Sequence, residues 1–132
     1  MNSHNLERFI SAQQSTYQTA LTEIKAGKKQ SHWMWYIFPQ ILGLGYTEIS
    51  KKYAILDLNE ATEYLRHRIL GPRLILLCHV LLSLKTNDAH KIFGSPDDLK
   101  LKSCMTLFSQ VQFADPVFEL VLEKFFNGLK DD

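Results

Sequence analysis

The sequence predicts a compact, soluble, all-α domain of about six to eight helices joined by short connections. Apolar residues recur at a spacing near 3.6 residues, helix start and stop residues bracket these stretches, and no segment alternates apolar and polar residues convincingly. The chain has 132 residues, 45% of them hydrophobic and 22% charged, and these values are typical of one globular domain. We therefore expect residues 1–132 to form a single helical domain whose last few residues are a short tail.

Four helices are predicted in the first half of the chain. The first begins after a cap at Asn5 and stops at Gly27, because glycine readily adopts the left-handed conformation that ends many helices. A short aromatic helix ends before Pro39, since proline cannot continue an ordinary helix, and the glycines of QILGLGYTE predict a loop. Asn59 is expected to cap the fourth helix. The second, third and fourth helices are predicted over 32–38, 48–55 and 60–67.

The second half contains four more predicted helices, the first of which is expected to be central because apolar residues lie nearly all round it. It begins with Pro72 in its first position, and His79 lies among its leucines, where a lone histidine is usually a core residue with satisfied ring nitrogens. The Ser-Pro-Asp-Asp sequence at 95–98 signals another helix start, and Asp115-Pro116 repeats the signal. The four predicted ranges are 72–84, 88–93, 96–111 and 116–127.

Charge and cysteine content bound the class of protein. The net charge is +1, from 15 Lys and Arg against 14 Asp and Glu, which gives no electrostatic footprint for nucleic acid. Cys78 and Cys104 lie in apolar helical patterns and should be buried free thiols, as suits a reducing cytosol. The longest apolar run, 74–82, is too short to cross a bilayer, and the first residues do not resemble a signal peptide. We expect a cytoplasmic protein with no membrane or nucleic-acid partner.

None of the catalytic spacings we sought is present in the sequence. It contains no G-x-S-x-G, G-x-x-x-x-G-K-[ST], G-x-G-x-x-G or H-E-x-x-H. Glu63 and His67 lie four residues apart on one helical face, but a zinc site needs at least three protein ligands. We therefore predict no metal site and no cofactor, and the catalytic residues, if the protein is an enzyme, stay unknown.

The segment SHWMWYIFPQ, residues 31–40, carries aromatic side chains on several faces of one short helix. Trp33 and Trp35 point in different directions, so the helix is either buried on several sides or lines a pocket on one side. In the first interpretation the rings are core. In the second they form a stacking wall for a planar ligand, with His32 or Gln40 as the polar contact.

The segment FGSPDDLKLKSCMTLF, residues 93–108, is the second dense stretch. Its apolar positions share one helical face, whereas Lys102, Ser103 and Thr106 lie together on a partly polar face. That face is either solvated or a place where an anion could bind.

These segments, together with GPRL at 71–74, resemble a bacterial family of uncharacterised proteins known as domain of unknown function eighteen-ten, some members of which are mislabelled "calpastatin". The resemblance extends from Asn5 to Phe126. It implies a compact all-α domain and no established activity, and no calpastatin motif supports protease inhibition here. The matching positions include His32, Trp33, Trp35, Pro39, Gln40, Gly71, Pro72, Arg73, Asp97, Lys100 and Thr106.

Two functional hypotheses follow. The favoured one is a non-enzymatic binding or interaction module, which predicts an exposed apolar groove or patch. The alternative is a domain that binds or hydrolyses a small molecule, nucleotide-like or ADP-ribose-like, at SHWMWYIFPQ, with lysine and arginine holding phosphate and His32 as acid or base. It requires His32, Gln40, Arg73 and Lys102 to converge with the tryptophans on one pocket. The candidate ligand-binding residues are His32, Trp33, Trp35, Gln40, Arg73, Lys100, Lys102 and Thr106.

Overall fold

The computed structural model describes residues 5–44 and 47–131 of the chain. Those residues form eight helices and no strand, and an isolated parallel bridge joins Ile41 to Ile55. The prediction of an all-α bundle with short connections is therefore confirmed. The helices are α1 Glu7–Lys25, α2 Met34–Ile37, α3 Glu48–Lys52, α4 Leu58–Arg66, α5 Leu70–Ser83, α6 Ala89–Phe93, α7 Asp97–Ser109 and α8 Val117–Phe126.

Helix α5 is central, as its apolar composition predicts, because it packs against α1, α4 and α8. It is not buried on every side. His79 is exposed, so the prediction that it is a core residue is wrong. Leu76, one turn earlier, is also 47% exposed, so no element among the described residues covers this side of the apolar helix. The buried residues of α5 are Leu70, Gly71, Leu74, Leu77, Cys78 and Leu81.

Two predicted caps are wrong. Leu6 rather than Asn5 occupies the N-cap position of α1, and no side chain of the described residues caps that end. Helix α4 begins two residues earlier than predicted because Asp57 takes the cap, with its carboxylate accepting a 2.9 Å hydrogen bond from the backbone N–H of Glu60. Asn59 consequently lies inside the first turn of α4, where it cannot cap the helix.

The starts of α5 and α7 also shift by one or two residues. Pro72 is the third residue of α5 rather than the first, and Pro96, preceded by a cis peptide bond, is the N-cap of α7. Gly71 is required by a close approach: a Cβ there would lie 2.1 Å from the backbone oxygen of Leu65 in α4. The predicted stop at Gly27 is confirmed, with a left-handed φ of +77°.

Arg8 of α1 fixes the chain between α3 and α4. Its guanidinium donates to the backbone oxygens of Lys52, at 2.7 Å, and Ala54, at 2.8 Å, and forms an ion pair with Glu60 at 3.0 Å. Glu60 is 2% exposed, and its other oxygen accepts from the N–H of Leu56 at 2.7 Å. Because the buried carboxylate is both paired and hydrogen-bonded, segment 52–60 has a defined path along one wall of the cleft described below.

Both cysteines are buried free thiols, as predicted. Desolvation raises the pKa of Cys78, and the nearby Asp115 carboxylate raises it further. Burial likewise raises the pKa of Cys104, with a smaller contribution from Cys78. Among the described residues, no helix combines the length and the hydropathy needed to cross a membrane.

Candidate functional site

The two dense segments of the sequence pack against each other. The ring of Phe93 lies 6.4 Å from that of Trp33 and 5.8 Å from that of Phe38, centroid to centroid and nearly perpendicular in both cases. The ammonium of Lys29 lies 2.9 Å from Asp97 at the start of α7. Aromatic packing therefore joins SHWMWYIFPQ to FGSPDDLKLKSCMTLF, and the ion pair of Lys29, two residues before the first segment, supports the contact.

Trp33 belongs to the core and not to a pocket. It is 1% exposed, and its indole N–H donates to Glu23 at 3.0 Å. The Glu23 carboxylate also accepts from the N–H groups of Gln30 and Ser31, at 2.7 and 3.0 Å, and from the Ser31 hydroxyl at 2.6 Å. Desolvation raises the pKa of Glu23, but these four hydrogen bonds outweigh it and lower the pKa to about 2.

Trp35, two residues on, is half-buried and lines a cleft between the chain that follows α2 and the first turn of α7. We define the Trp35 cleft by Trp35, Gln40, Leu42, Lys51, Tyr53 and Lys100, among its lining residues. The cleft has a volume of about 50 Å³, which is room for a few water molecules or one small chemical group.

The Trp35 cleft carries an excess of positive charge. The ammonium of Lys100 lies 4.2 Å from the centroid of the Trp35 ring and 3.3 Å from Asp97. Asp97 is shared with Lys29, so one carboxylate serves two ammonium groups. Lys51 has no ion-pair partner within the described part of the chain. The described lining of the cleft thus contains two lysines, Lys51 and Lys100, and no carboxylate, which favours an anionic ligand.

Gln40 contributes to the cleft a side-chain amide that makes no hydrogen bond to any residue the structure describes. Its backbone oxygen accepts from Ile55 at 2.7 Å, and the N–H of Leu42 donates to the oxygen of Ile55 at 2.8 Å. These bonds hold Gln40 against the segment that Arg8 fixes. The side-chain amide of Gln40 has no protein partner among residues 5–44 and 47–131, so it is available to a ligand.

The other predicted residues lie elsewhere. His32 is exposed, and its backbone oxygen accepts from the Tyr36 hydroxyl. Arg73 lies over the ring of Tyr17, 4.8 Å from its centroid, and donates to Gln13 at 3.3 Å. The predicted convergence of His32, Gln40, Arg73 and Lys102 with both tryptophans on one pocket is therefore wrong. Of the eight candidates, the structure brings Trp35, Gln40 and Lys100 together in the Trp35 cleft.

Lys102 and Thr106 are also outside the Trp35 cleft. The Thr106 hydroxyl donates to the backbone oxygen of Lys102 at 2.8 Å and accepts from the N–H of Asp131 at 3.1 Å. It lines a separate, mainly apolar groove with Ser103. The polar face predicted on α7 is therefore occupied in part by the C-terminal segment.

Sequence reasoning missed Lys51 and Tyr53. Lys51 lies in the short helix α3 and Tyr53 directly follows it, and neither residue is part of a dense motif. They reach the cleft because the bridge between Ile41 and Ile55 folds their segment against the one that follows α2. No described residues form a group of three or more His, Cys, Asp or Glu side chains that could hold a metal ion.

The fold and the site define a small all-α protein with an aromatic, electropositive cleft. The chain belongs to the family described as "Protein of unknown function (DUF1810)", whose profile matches residues 3–132. This confirms the resemblance seen in the sequence. A solved structure that is similar to the chain is that of the conserved hypothetical protein Rv1873 from Mycobacterium tuberculosis, with 41% identity, a TM-score of 0.96, and coverage of 98% of this chain and 93% of that one. No curated protein matches.

Proposed function

We propose that this chain binds a small anionic molecule that also carries a planar ring, of the nucleotide class, in the Trp35 cleft. The observation that carries the proposal is the convergence of Trp35, Lys100 and Gln40 from segments about sixty residues apart in the chain. A ring, a cation and an unsatisfied amide are the groups that recognise a planar anion.

Each side chain has a distinct role in this proposal. The Trp35 ring stacks on the planar part of the ligand, and Lys100 and Lys51 contact its phosphate or carboxylate. The side-chain amide of Gln40 hydrogen-bonds to the edge of the ligand's planar ring. To contact the ligand while the ligand stacks on Trp35, Lys100 must turn away from both Asp97 and the Trp35 ring. The cost is about 1–2 kcal/mol, because both contacts are partly exposed.

The size of the cleft limits how much of the ligand it encloses. Small-molecule sites usually measure roughly 300–1,000 Å³, whereas the Trp35 cleft measures about 50 Å³. It therefore encloses the anionic group or the edge of the ring. The remainder of the ligand would lie over Leu42 and Leu44, which are 47% and 53% exposed.

The proposal assigns binding rather than hydrolysis to the cleft. Among its described lining residues there is no His, Asp, Glu or Cys, and the hydroxyl of Ser50 donates to the backbone oxygen of Thr47 at 2.8 Å. An imidazole or carboxylate base would have to come from the ligand itself or from a group outside this lining.

The tryptophans supply the test, because the chain has two and the structure separates them. Phosphate, adenosine, AMP and ADP-ribose are titrated into the protein while its fluorescence is followed. AMP or ADP-ribose should quench the wild type, and Trp35→Phe, which keeps only the buried Trp33, should show no quenching. Quenching that persists in Trp35→Phe would place the ligand elsewhere, and no response to any of the four would contradict the proposal.

A matched pair of lysines in α7 tests the charge. Lys100→Met should weaken AMP binding by about 10- to 100-fold, which corresponds to one hydrogen bond to a charged group. Lys102→Met removes the same charge two residues away, outside the cleft, and should leave binding within a few-fold of wild type. Equal losses in the two variants would indicate a nonspecific effect of charge.

A second function, protein binding, is favoured by exposed leucines near the cleft. Leu56 and Leu58 are 56% and 45% exposed. They follow Ile55, whose backbone oxygen accepts a hydrogen bond from Leu42 in the cleft lining. We propose that a protein partner would contact the apolar surface formed by Leu56 and Leu58. A Leu56→Ser/Leu58→Ser variant should then lose a stoichiometric partner in pull-downs yet keep AMP binding, and the reverse pattern would refute the second function.

We also propose a cytosolic location. It is supported by the free thiols of Cys78 and Cys104, which a reducing compartment would keep unoxidised. Fractionation of cells that express the chain would test the location, and recovery outside the cytosol would contradict it.

A further inference from the structure

Phe113, between α7 and α8, combines two unfavourable features. Its side chain is 90% exposed, more than any other large apolar residue among those the structure describes. Its backbone is left-handed, with a φ of +62°, a conformation that glycine and asparagine adopt far more readily than phenylalanine. Glycine or asparagine would avoid both penalties, and no aromatic or cation contact within the described chain compensates for either. A bulky ring in this position is explained if it binds something outside the chain.

A groove lies directly beside Phe113. It runs along the end of α4, α5 and the 111–115 connection, has a volume of about 310 Å³, and has Leu65, Ile75 and Val111 among its apolar lining residues. A phenyl ring fits within that volume. None of the groove's lining residues lines the Trp35 cleft, so this surface is independent of the proposed ligand site.

The same groove contains one cation and one anion. Arg66 is exposed and Asp115 half-buried, and both line the groove, yet they form no ion pair with each other or with another described residue. One carboxylate oxygen of Asp115 accepts from the N–H of Val117 at 2.9 Å, which leaves the second oxygen available. The surface therefore carries a protruding ring, that of Phe113, and a groove that can accommodate a ring. It also carries an unpaired cation, Arg66, and an unpaired anion, Asp115.

We propose that this surface, the Phe113 face, binds a second copy of the chain about a two-fold axis. In a two-fold interface the same surface meets itself, so a face must complement itself in shape and charge. The axis places Phe113 of each copy in the groove of the other, and Arg66 of each copy opposite Asp115 of the other. A partner of different sequence would not require this face to carry both members of each complementary pair, the ring with its groove and the cation with the anion.

The size of the face predicts a weak dimer. Two phenylalanine side chains bury about 200 Å² each, and with the groove walls the total stays below the roughly 1,200 Å² of a stable interface. The chain should therefore be monomeric at low micromolar concentration and increasingly dimeric toward millimolar concentration. Sedimentation velocity across that range measures the association directly.

Phe113→Gly is the decisive variant because it removes the ring and suits the left-handed backbone. It should stay monomeric at every concentration while its Tm, measured on dilute protein, equals or exceeds that of the wild type. Leu99→Ala is the matched control, since Leu99 is 57% exposed but outside the groove. It should dimerise like the wild type. A wild type that is monomeric throughout overturns the proposal, and so does a dimer that Phe113→Gly forms equally well or that Leu99→Ala also loses.

Charge reversal tests the two-fold geometry. Arg66→Glu alone and Asp115→Lys alone should each weaken dimerisation at least tenfold, because each places like charges opposite one another. The double variant restores opposite charges across the axis and should regain most of the wild-type association. Asp115→Lys also loses the contact to Val117, so its folding is checked by circular dichroism on dilute protein. A double variant that is weaker than either single one would overturn the assigned pairing.

Discussion

Replacing Glu23 with glutamine should destabilise the protein more than neutralising any other charged residue in the C-terminal half of α1. Glu23 accepts hydrogen bonds from four donors of the segment that follows α1, including the indole of the buried Trp33. Glutamine keeps one acceptor oxygen for the three N–H donors that share Oε1, and its NH₂ group can donate to the Ser31 hydroxyl. The variant therefore loses the negative charge that strengthens these hydrogen bonds rather than a whole hydrogen bond.

The magnitude follows from the hydrogen bonds and from the pKa of Glu23. A shift of the pKa from 4.5 to about 2 corresponds to roughly 3 kcal/mol as an upper bound. The carboxylate is partly exposed, so solvent screening reduces this by about half. A hydrogen bond to a charged group contributes about 1.5–3 kcal/mol and is roughly twice as strong as one between neutral groups, so loss of the charge costs about 1–2 kcal/mol. We expect Glu23→Gln to lose about 2 kcal/mol of unfolding free energy at pH 7, which lowers Tm by about 5–10 °C for a chain of this size.

The lowered pKa of Glu23 also makes the stability of the protein depend on pH. Because the pKa of Glu23 is lowered on folding, its contribution is complete above the unfolded pKa of 4.5 and is lost as pH falls toward about 2. Urea unfolding of wild type and Glu23→Gln should show a difference that is constant from pH 7 to 5 and shrinks below pH 4.5. Glu123→Gln, at an exposed position in α8, is the control and should match the wild type. A Glu23→Gln variant as stable as wild type at pH 7, or a difference unchanged at pH 3, would refute the argument.

Three further predictions concern the packing and the thiols. Gly71→Ala should cost about 3 kcal/mol in urea unfolding, because its Cβ would lie 2.1 Å from a backbone oxygen of α4; a loss below 1 kcal/mol would show that α4 and α5 separate easily. Arg8→Ala should cost about 3–5 kcal/mol by leaving the buried Glu60 carboxylate unpaired, and Arg8→Ala/Glu60→Gln should recover part of that loss; no recovery would contradict the assigned cause. Cys78 and Cys104 should react with a disulfide reagent at pH 8 only after denaturation, since burial raises the pKa of both; rapid labelling of the folded protein would contradict their burial.

The helices were predictable because their signals are local. Periodicity and the stop residues Gly27 and Pro39 locate most of the elements within a few residues. The errors occur where two local signals compete. Asp57 and Asn59 are both good caps, and Asp57 wins because its carboxylate reaches the N–H of Glu60. Sequence alone cannot rank two caps separated by two residues.

The burial of apolar helices was only partly predictable. Apolar residues all round α5 correctly indicate a central helix, but the pattern does not say which side has no neighbour. His79 and Leu76 lie on that side. Deciding between a core and a surface histidine requires the positions of the other helices, which a periodic pattern does not contain.

The site was predictable as a region and not as a set of residues. The two dense segments do meet, but Trp33 and Trp35 could not be assigned from spacing to core and cleft. That assignment depends on Glu23, ten residues earlier, which satisfies the indole of Trp33. Lys51 enters through a long-range backbone bridge, and no local signal marks it.

The central claim is that the Trp35 cleft binds a planar anion through Lys100. Isothermal titration of AMP into the wild type, Lys100→Met and Lys102→Met tests it most directly. The structure predicts saturable binding by wild type and Lys102→Met, and binding about 10- to 100-fold weaker in Lys100→Met. Absence of binding heat in the wild type across several temperatures, or equal affinity in Lys100→Met, would contradict the claim.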